Sequence, residues 1–424
     1  MRAAATTEPG RLQIIGALLA LLVVVSGALT AFEVTDRASA AGDVVGRSQP
    51  LSADAANIYR SLADADTAAA SGFLAGAQEP APVRERYQKD IETASRLLVK
   101  AATFTESTGE SGRQIATLNE QLPRYTGLIE RARANNRQGL PLGGAYLRYA
   151  NQQMTKEILP AAEKLYESET ARLDRDHDDA RVWPFLALTA GVAALAVLVW
   201  AQRRTYARTN RVFNHGLLAA TAASTVVLLW LAVGHTVARM QLDDANAHGQ
   251  ASLKVLNDAR ISSLKARANE NLTLVARGAV LTKDGKGDQY ETDHRADMRA
   301  LGASLADARR LADDGAGSRP VERARAAATE WGERHRSANA TDRAGDYEGA
   351  LAKVIGGADS TGESFDRVDT ALAEAIGHEQ AEFSASAGSG RDALSGLAVG
   401  AVVLALLGAV GAILGINRRL SEYR

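Results

Sequence analysis

The stretch Leu12–Phe32, LQIIGALLALLVVVSGALTAF, carries no charge and is long enough to cross a hydrocarbon core as a single helix. Three other stretches share this character: Trp183–Ala201, WPFLALTAGVAALAVLVWA; Gly216–Ala238, GLLAATAASTVVLLWLAVGHTVA; and Gly396–Ile416, GLAVGAVVLALLGAVGAILGI. Four spans leave two long segments, 33–182 and 239–395, and three short ones, 1–11, 202–215 and 417–424. None of the short segments can hold an enzyme domain, so the bulk of the protein is expected to work on the side of the two long segments.

Charges beside the spans set the expected orientation. Arg2 and Arg11 precede the first span, Arg203, Arg204, Arg208 and Arg211 fill 202–215, and Arg418, Arg419 and Arg424 follow the last. Lys/Arg enrichment in short flanks marks the cytoplasmic side. The expected order is cytoplasmic N-terminus (1–11), span 12–32, extracytoplasmic bundle 33–182, span 183–201, basic cytoplasmic loop 202–215, span 216–238, extracytoplasmic bundle 239–395, span 396–416 and cytoplasmic tail 417–424, in the plasma membrane. The first apolar run exceeds the core of a usual secretory signal and lacks a distinct small-residue cleavage pattern, so it is read as retained.

A formal net charge of -1 gives no global basic field, and nucleic acid is not an expected partner. With no cysteine, disulfides and thiolate metal sites are excluded. High alanine content, few aromatics and 9 prolines favour close-packed helices. Apolar residues recur at alternating spacings of three and four in Tyr87–Ala101, Ile115–Ala132, Met298–Ala308, Val321–His335 and, longest, Tyr347–Leu372. That pattern is the seam of helices packed side by side. Clusters of turn residues interrupt the two segments at matching places: Gly76–Pro82 and Lys283–Asp288, Thr105–Gly112 and Asp313–Pro320, Asn135–Gly144 and Ser337–Gly345. Each long segment is therefore expected to form a bundle of four helices.

The fold class is an all-α membrane protein with four transmembrane helices and two duplicated four-helix bundles. Ile58, Tyr87 and Asp90 recur 203 positions later as Ile261, Tyr290 and Asp293, which supports an internal duplication. The first and fourth helices of each bundle are expected to run unbroken into their spans, with Pro184 tolerated as a slight kink. In the fourth span, Gly396, Gly400, Gly408, Gly411 and Gly415 give small-residue steps for close helix packing, within one chain or across a homodimer. His235, the one ionisable group in a span, is read as interfacial.

No HExxH, GxSxG, phosphate-binding glycine loop or CxxC occurs, so neither catalysis nor a cofactor is expected. The cluster Asp174, Asp176, His177, Asp178, Asp179 reads as a solvated acidic collar before a span. Asp64 and Asp66 read as a solvated face, with polar recognition as the alternative. No ligand-binding set of residues is identifiable at one site. The arginines at 203, 204, 208, 211, 418 and 419 are candidate contacts for an acidic cytoplasmic partner or anionic membrane lipid.

The order of span, bundle, span, basic loop, span, bundle, span and basic tail resembles the GlnX-like four-span signal transducers of actinobacteria. The resemblance is strongest in Arg203–Ala220, RRTYARTNRVFNHGLLAA, and Asp64–Gly76, DADTAAASGFLAG. It implies a relay of external aspartate or glutamate, through a solute-binding lipoprotein of GlnH type, to a cytoplasmic Ser/Thr kinase of PknG type. Two other readings are a chemoreceptor-like bundle that binds a small molecule directly and an envelope scaffold.

Overall fold

The computed structural model describes residues 8–105, 108–209 and 214–420. Its elements are α1 (Glu8–Asp43), α2 (Gln49–Leu74), α3 (Ala81–Phe104), α4 (Glu110–Arg137), α5 (Leu142–Gln153), α6 (Leu159–Arg181) and α7 (Phe185–Thr209), followed by α8 (His215–Asp244), α9 (Ala251–Ala276), α10 (Gln289–Leu311), α11 (Gly315–Arg343), α12 (Tyr347–Ile355), α13 (Thr361–Leu394) and α14 (Leu397–Leu420). Three π-helical segments, Val44–Ser48, Met154–Ile158 and Ala245–Gln250, join α1 to α2, α5 to α6 and α8 to α9. No strand occurs among the described residues, and a lone bridge between Leu281 and Asp288 closes one turn. The protein is all-α, with four helices apolar and long enough to cross a membrane.

The chain divides into two compact units, the first made of Met1–Gly46, Arg175–Asp244 and Ala385–Arg424, the second of Arg47–Asp174 and Ala245–Ser384. In the first unit, Leu19, Val23, Leu198, Leu217, Ala405 and Ala412 pack inward. Leu18, Leu21, Leu186, Leu229, Leu406 and Leu407 point outward and are exposed. Helices with apolar outer faces and internally bonded backbones are suited to lipid as solvent. This is a multi-pass membrane protein.

Four of the five glycines of the fourth span make the close contacts expected of them, all within the chain. A Cβ on Gly400 would strike the Trp230 ring, and one on Gly408 would lie 3.2 Å from Val23 Cγ1. Gly411 comes against the Gly216 carbonyl, where a Cβ would be at 3.1 Å, and Gly415 against Gly216 Cα, at 2.9 Å. Gly396 differs: its φ of +75° places it in a left-handed turn just before α14, with open space around its Cα. It ends one helix and starts another rather than packing spans together.

The expectation that both flanking helices of each bundle run unbroken holds for one of each pair. Helical backbone continues from α1 into α2 and from α8 into α9 through π segments. By contrast, α6 stops at Arg181 and α7 begins at Phe185, so Pro184 breaks the helix instead of kinking it, and Gly396 separates α13 from α14. The N–H groups left without an intrahelical partner at the start of α7 are partly satisfied by Glu33, whose Oε2 accepts from the buried Ala187 N at 2.7 Å. Pro50 and Pro160 each follow two residues after a π segment. A proline removes one i→i−4 bond and its ring crowds the preceding turn, which a locally widened helix relieves.

In the second unit the two long segments share one hydrophobic core. Ile58, Leu62, Tyr125 and Met154 belong to the same cluster as Leu256, Leu272, Trp331 and Phe365. The centre is α2, buried on nearly all sides, beside α9. Ala63, Ala65, Ala68, Ala69 and Ala70 permit that approach, and polar groups join the two helices: Thr67 Oγ1 donates to Leu264 O at 3.2 Å, Asn271 Nδ2 to Ser71 Oγ at 2.8 Å. Asp64 and Asp66 are thus 5% and 4% exposed, inside the unit rather than on a solvated face.

Three turn positions also shift. The chain turns at residues 312–314, leaving Pro320 inside α11, because Asp314 caps the new helix by accepting from Ala316 N at 2.8 Å and Gly317 N at 2.6 Å. The next turn comes only after Arg343, so most of Ser337–Gly345 is helical. The Tyr347–Leu372 seam is not one helix, since Gly356 and Gly357 begin a break that ends at Thr361. This break is the counterpart of the π segment Met154–Ile158, each interrupting the last helix of its half.

Candidate functional site

Two clefts in the second unit are related by the repeat. Each forms where the interrupted last helix of one half meets the first two helices of the other. The first, of about 340 Å³, is lined by α2, the α5–α6 junction, α9 and α10; the second, of about 380 Å³, by α9, the α12–α13 junction, α2 and α3.

The first cleft is acidic. Asp66, Glu163, Asp293 and Asp297 line it together with a single Lys265. Asp66 accepts from Tyr125 OH at 3.1 Å and Asn151 Nδ2 at 2.7 Å, both neutral donors. Burial pushes its carboxyl up to about 6, against those two hydrogen bonds. Asp297 is likewise pushed up to about 6 by burial, despite the Asn269 amide at 2.8 Å and the charge of Lys265. Lys265 Nζ is 5.7 Å from the Tyr59 ring centroid.

In the second cleft the two arginines are already engaged. Arg86 Nε donates to both Asp64 oxygens at 3.0 Å and Nη1 to Asp366 at 3.1 Å. Arg267 donates from Nη1 to Glu270 at 2.5 Å and to Thr361 Oγ1 at 2.9 Å, and from Nη2 to the Val354 carbonyl at 3.1 Å. Glu270, 1% exposed, also accepts from Trp331 Nε1 at 3.2 Å and meets His335 Nδ1 at 2.8 Å. The opposite ring nitrogen, His335 Nε2, meets Glu291 Oε2 at 3.0 Å. Burial disfavours the His335 cation, but the hydrogen bonds and charges of Glu270 and Glu291 outweigh it and raise its pKa to about 9. Burial disfavours ionised Glu270 too, yet Arg267 and His335 bring it down to about 2. His294, stacked on His335 with ring centroids 3.8 Å apart, is pushed down by burial and then by the His335 charge. This network holds α9, α10 and α11 together by fully matched charges.

The basic residues singled out in the sequence belong to the first unit and line neither cleft. Arg203, Arg204 and Arg418 are exposed, with Arg204 Cζ 5.2 Å from the Trp200 ring centroid. Arg211, and the side chains of Arg208 and Arg419, lie outside the described residues. In the collar, Asp174 accepts from Gln250 Nε2 at 2.6 Å and His177 is buried, so this cluster is partly structural. His235 is buried against the Trp183 ring at 4.9 Å rather than in contact with water. A partly exposed group, Asp314, His378 and Glu382, has metal-ligand residue types, but Asp314 already serves as a helix cap.

Cleft residues were hard to find by sequence because they come from separated helices. Two signals were available: the pair Asp64 and Asp66, whose alternative reading was polar recognition, and the repeated Tyr-x-x-Asp. In the first half Tyr87 is buried beneath Arg133, whose Cζ is 4.2 Å from the ring centroid, and Asp90 sits 3.7 Å from Arg60. In the second, Tyr290 and Asp293 open into the acidic cleft. One repeated pair therefore has two fates.

Residues 40–178 match the family described as the actinobacterial sensor domain. The matched stretch lies in the first half of the chain. It spans α2 to α5 and most of α6, and it supplies Tyr59, Asp66 and Asn151 to one wall of the acidic cleft. The family points to signal sensing and transduction. No curated protein and no solved structure matches the chain.

Proposed function

We propose that the protein is a non-enzymatic transmembrane signal transducer, with the second unit outside the cell and the segments 202–215 and 417–424 in the cytoplasm. The observation that carries this reading is a match to the actinobacterial sensor domain in a chain with four candidate membrane spans. The finer reading is a relay of external aspartate or glutamate, received through a solute-binding lipoprotein of GlnH type and passed to a kinase of PknG type. Its support is the span order and the basic flanks. The continuous helices α1–α2 and α8–α9 offer rods along which a change in packing can travel, while the breaks at residues 182–184 and 395–396 offer hinges. A docking event outside shifts such packing only by its differential affinity for two arrangements.

The test replaces Arg208 and Arg211 by glutamine, leaving Arg203 and Arg204 beside the span to preserve orientation. Normal abundance and insertion, with reduced phosphorylation of the kinase substrate after external aspartate or glutamate, is the expected result. An unchanged response in this variant and in one truncated before Leu420 removes the basic surfaces from the relay and favours the scaffold reading. Direct sensing is the second reading, favoured by the two clefts of ligand size.

A further inference from the structure

We propose that the acidic cleft of the second unit binds a short aliphatic polyamine, an input independent of any lipoprotein relay. Four carboxylates face one ammonium in a space of about 340 Å³, at the lower end of the range for small-molecule sites. Among the described residues no arginine or lysine lies in salt-bridge contact with Asp66, Asp293 or Asp297. Asp66 is the most exacting of them. It is almost wholly buried and held only by a phenol and an amide, whereas Asp64, two residues away on the same helix, is matched by Arg86. A buried carboxylate held only by neutral donors is costly unless a cation completes it.

Aromatic side chains complete the cleft. Tyr59 is 1% exposed and lines it, with the hydroxyl engaged by the Lys265 ammonium. Tyr290 supplies a second ring. Carboxylates combined with aromatic faces recognise ammonium groups by charge, hydrogen bonding and cation–π attraction. The placement of Lys265 near the Tyr59 ring indicates that this wall accepts an ammonium. The excess of carboxylates over that one lysine selects a ligand with more than one positive charge and disfavours a free carboxylate. The π segment contributes Thr155, and Leu159 and Pro160 follow it into the wall, so the helix irregularity itself shapes the cleft.

Calorimetric titration of the full chain in an uncharged detergent, with spermidine as the probe, tests this. Saturable binding at one site per chain is expected, with propylamine much weaker. Asp66→Asn and Asp297→Asn should each weaken binding roughly tenfold or more, Lys265→Gln should strengthen it, and Arg323→Gln, at an exposed ion pair with Glu374, should leave it unchanged. Absence of saturable binding overturns the proposal, as does displacement of spermidine by equimolar magnesium, which would mark diffuse cation attraction. Binding that Asp297→Asn and Lys265→Gln leave unaltered also overturns it, even if Asp66→Asn does not fold.

Discussion

Buried charge in the second unit takes two opposite forms, and stability against pH should separate them. His335 is raised to about 9 from an ordinary value near 6.5, so its favourable contribution is complete below about 6.5 and disappears as pH rises through about 9. Up to about 3 kcal/mol of stability is at stake. Thermal unfolding between pH 6.5 and 10 should fall along this limb, and His335→Gln should flatten it. Glu270 acts at the other end, its contribution present above about 4.5 and lost as pH falls through about 2. Glu270→Gln leaves Arg267 without its charge partner and should cost about 3–5 kcal/mol. Asp66 works against the fold: its raised carboxyl favours the native state only while protonated, an advantage that fades as pH rises through about 6. Asp66→Asn should accordingly raise the melting temperature at pH 7.5 in the absence of polyamine. None of these partners could be paired from sequence, because Glu270, Glu291 and His335 sit on three helices and no local spacing joins them.

Helices were legible where periodicity was strong and their ends were not. The seams from Tyr87, Ile115, Met298 and Val321 all became helices with those residues turned inward. Pro320 suggested a turn but occurs in helix, since the Asp314 cap fixed an earlier start. A period of three and four also continued across the break after Ile355, because Val354 and Phe365 both reach the core from separate helices. The DADTAAASG stretch was misleading for a related reason. Two aspartates among alanines look like a solvated face, yet short side chains are what a central helix needs when neighbours press on every side. Glycines of the spans provide a contrast that can be measured in detergent by thermal unfolding. Gly216→Ala pushes a methyl group into the Gly411 carbonyl on α14 and should cost about 1–3 kcal/mol, whereas Gly396→Ala meets no neighbour and should cost about 1 kcal/mol through backbone strain alone.

At the scale of the whole molecule, four apolar stretches announced the spans, and the helix order α2–α6 recurs as α9–α13 although three of the expected turns shift. The single core built from both halves was not legible, since periodicity reports that a face is buried but not against which partner. For a transducer that arrangement matters: a ligand or partner engaging either half acts on packing shared with the other. The central claim is that this shared unit faces outward while the basic segments face inward, and the absence of cysteine makes it directly measurable. Single cysteines at Ala81, Gly285 and Arg203 would be probed with a membrane-impermeant maleimide in intact cells. Labelling at 81 and 285 before permeabilisation, and at 203 only afterwards, is the expected result; labelling of 203 in intact cells with protection of 81 and 285 would contradict the account.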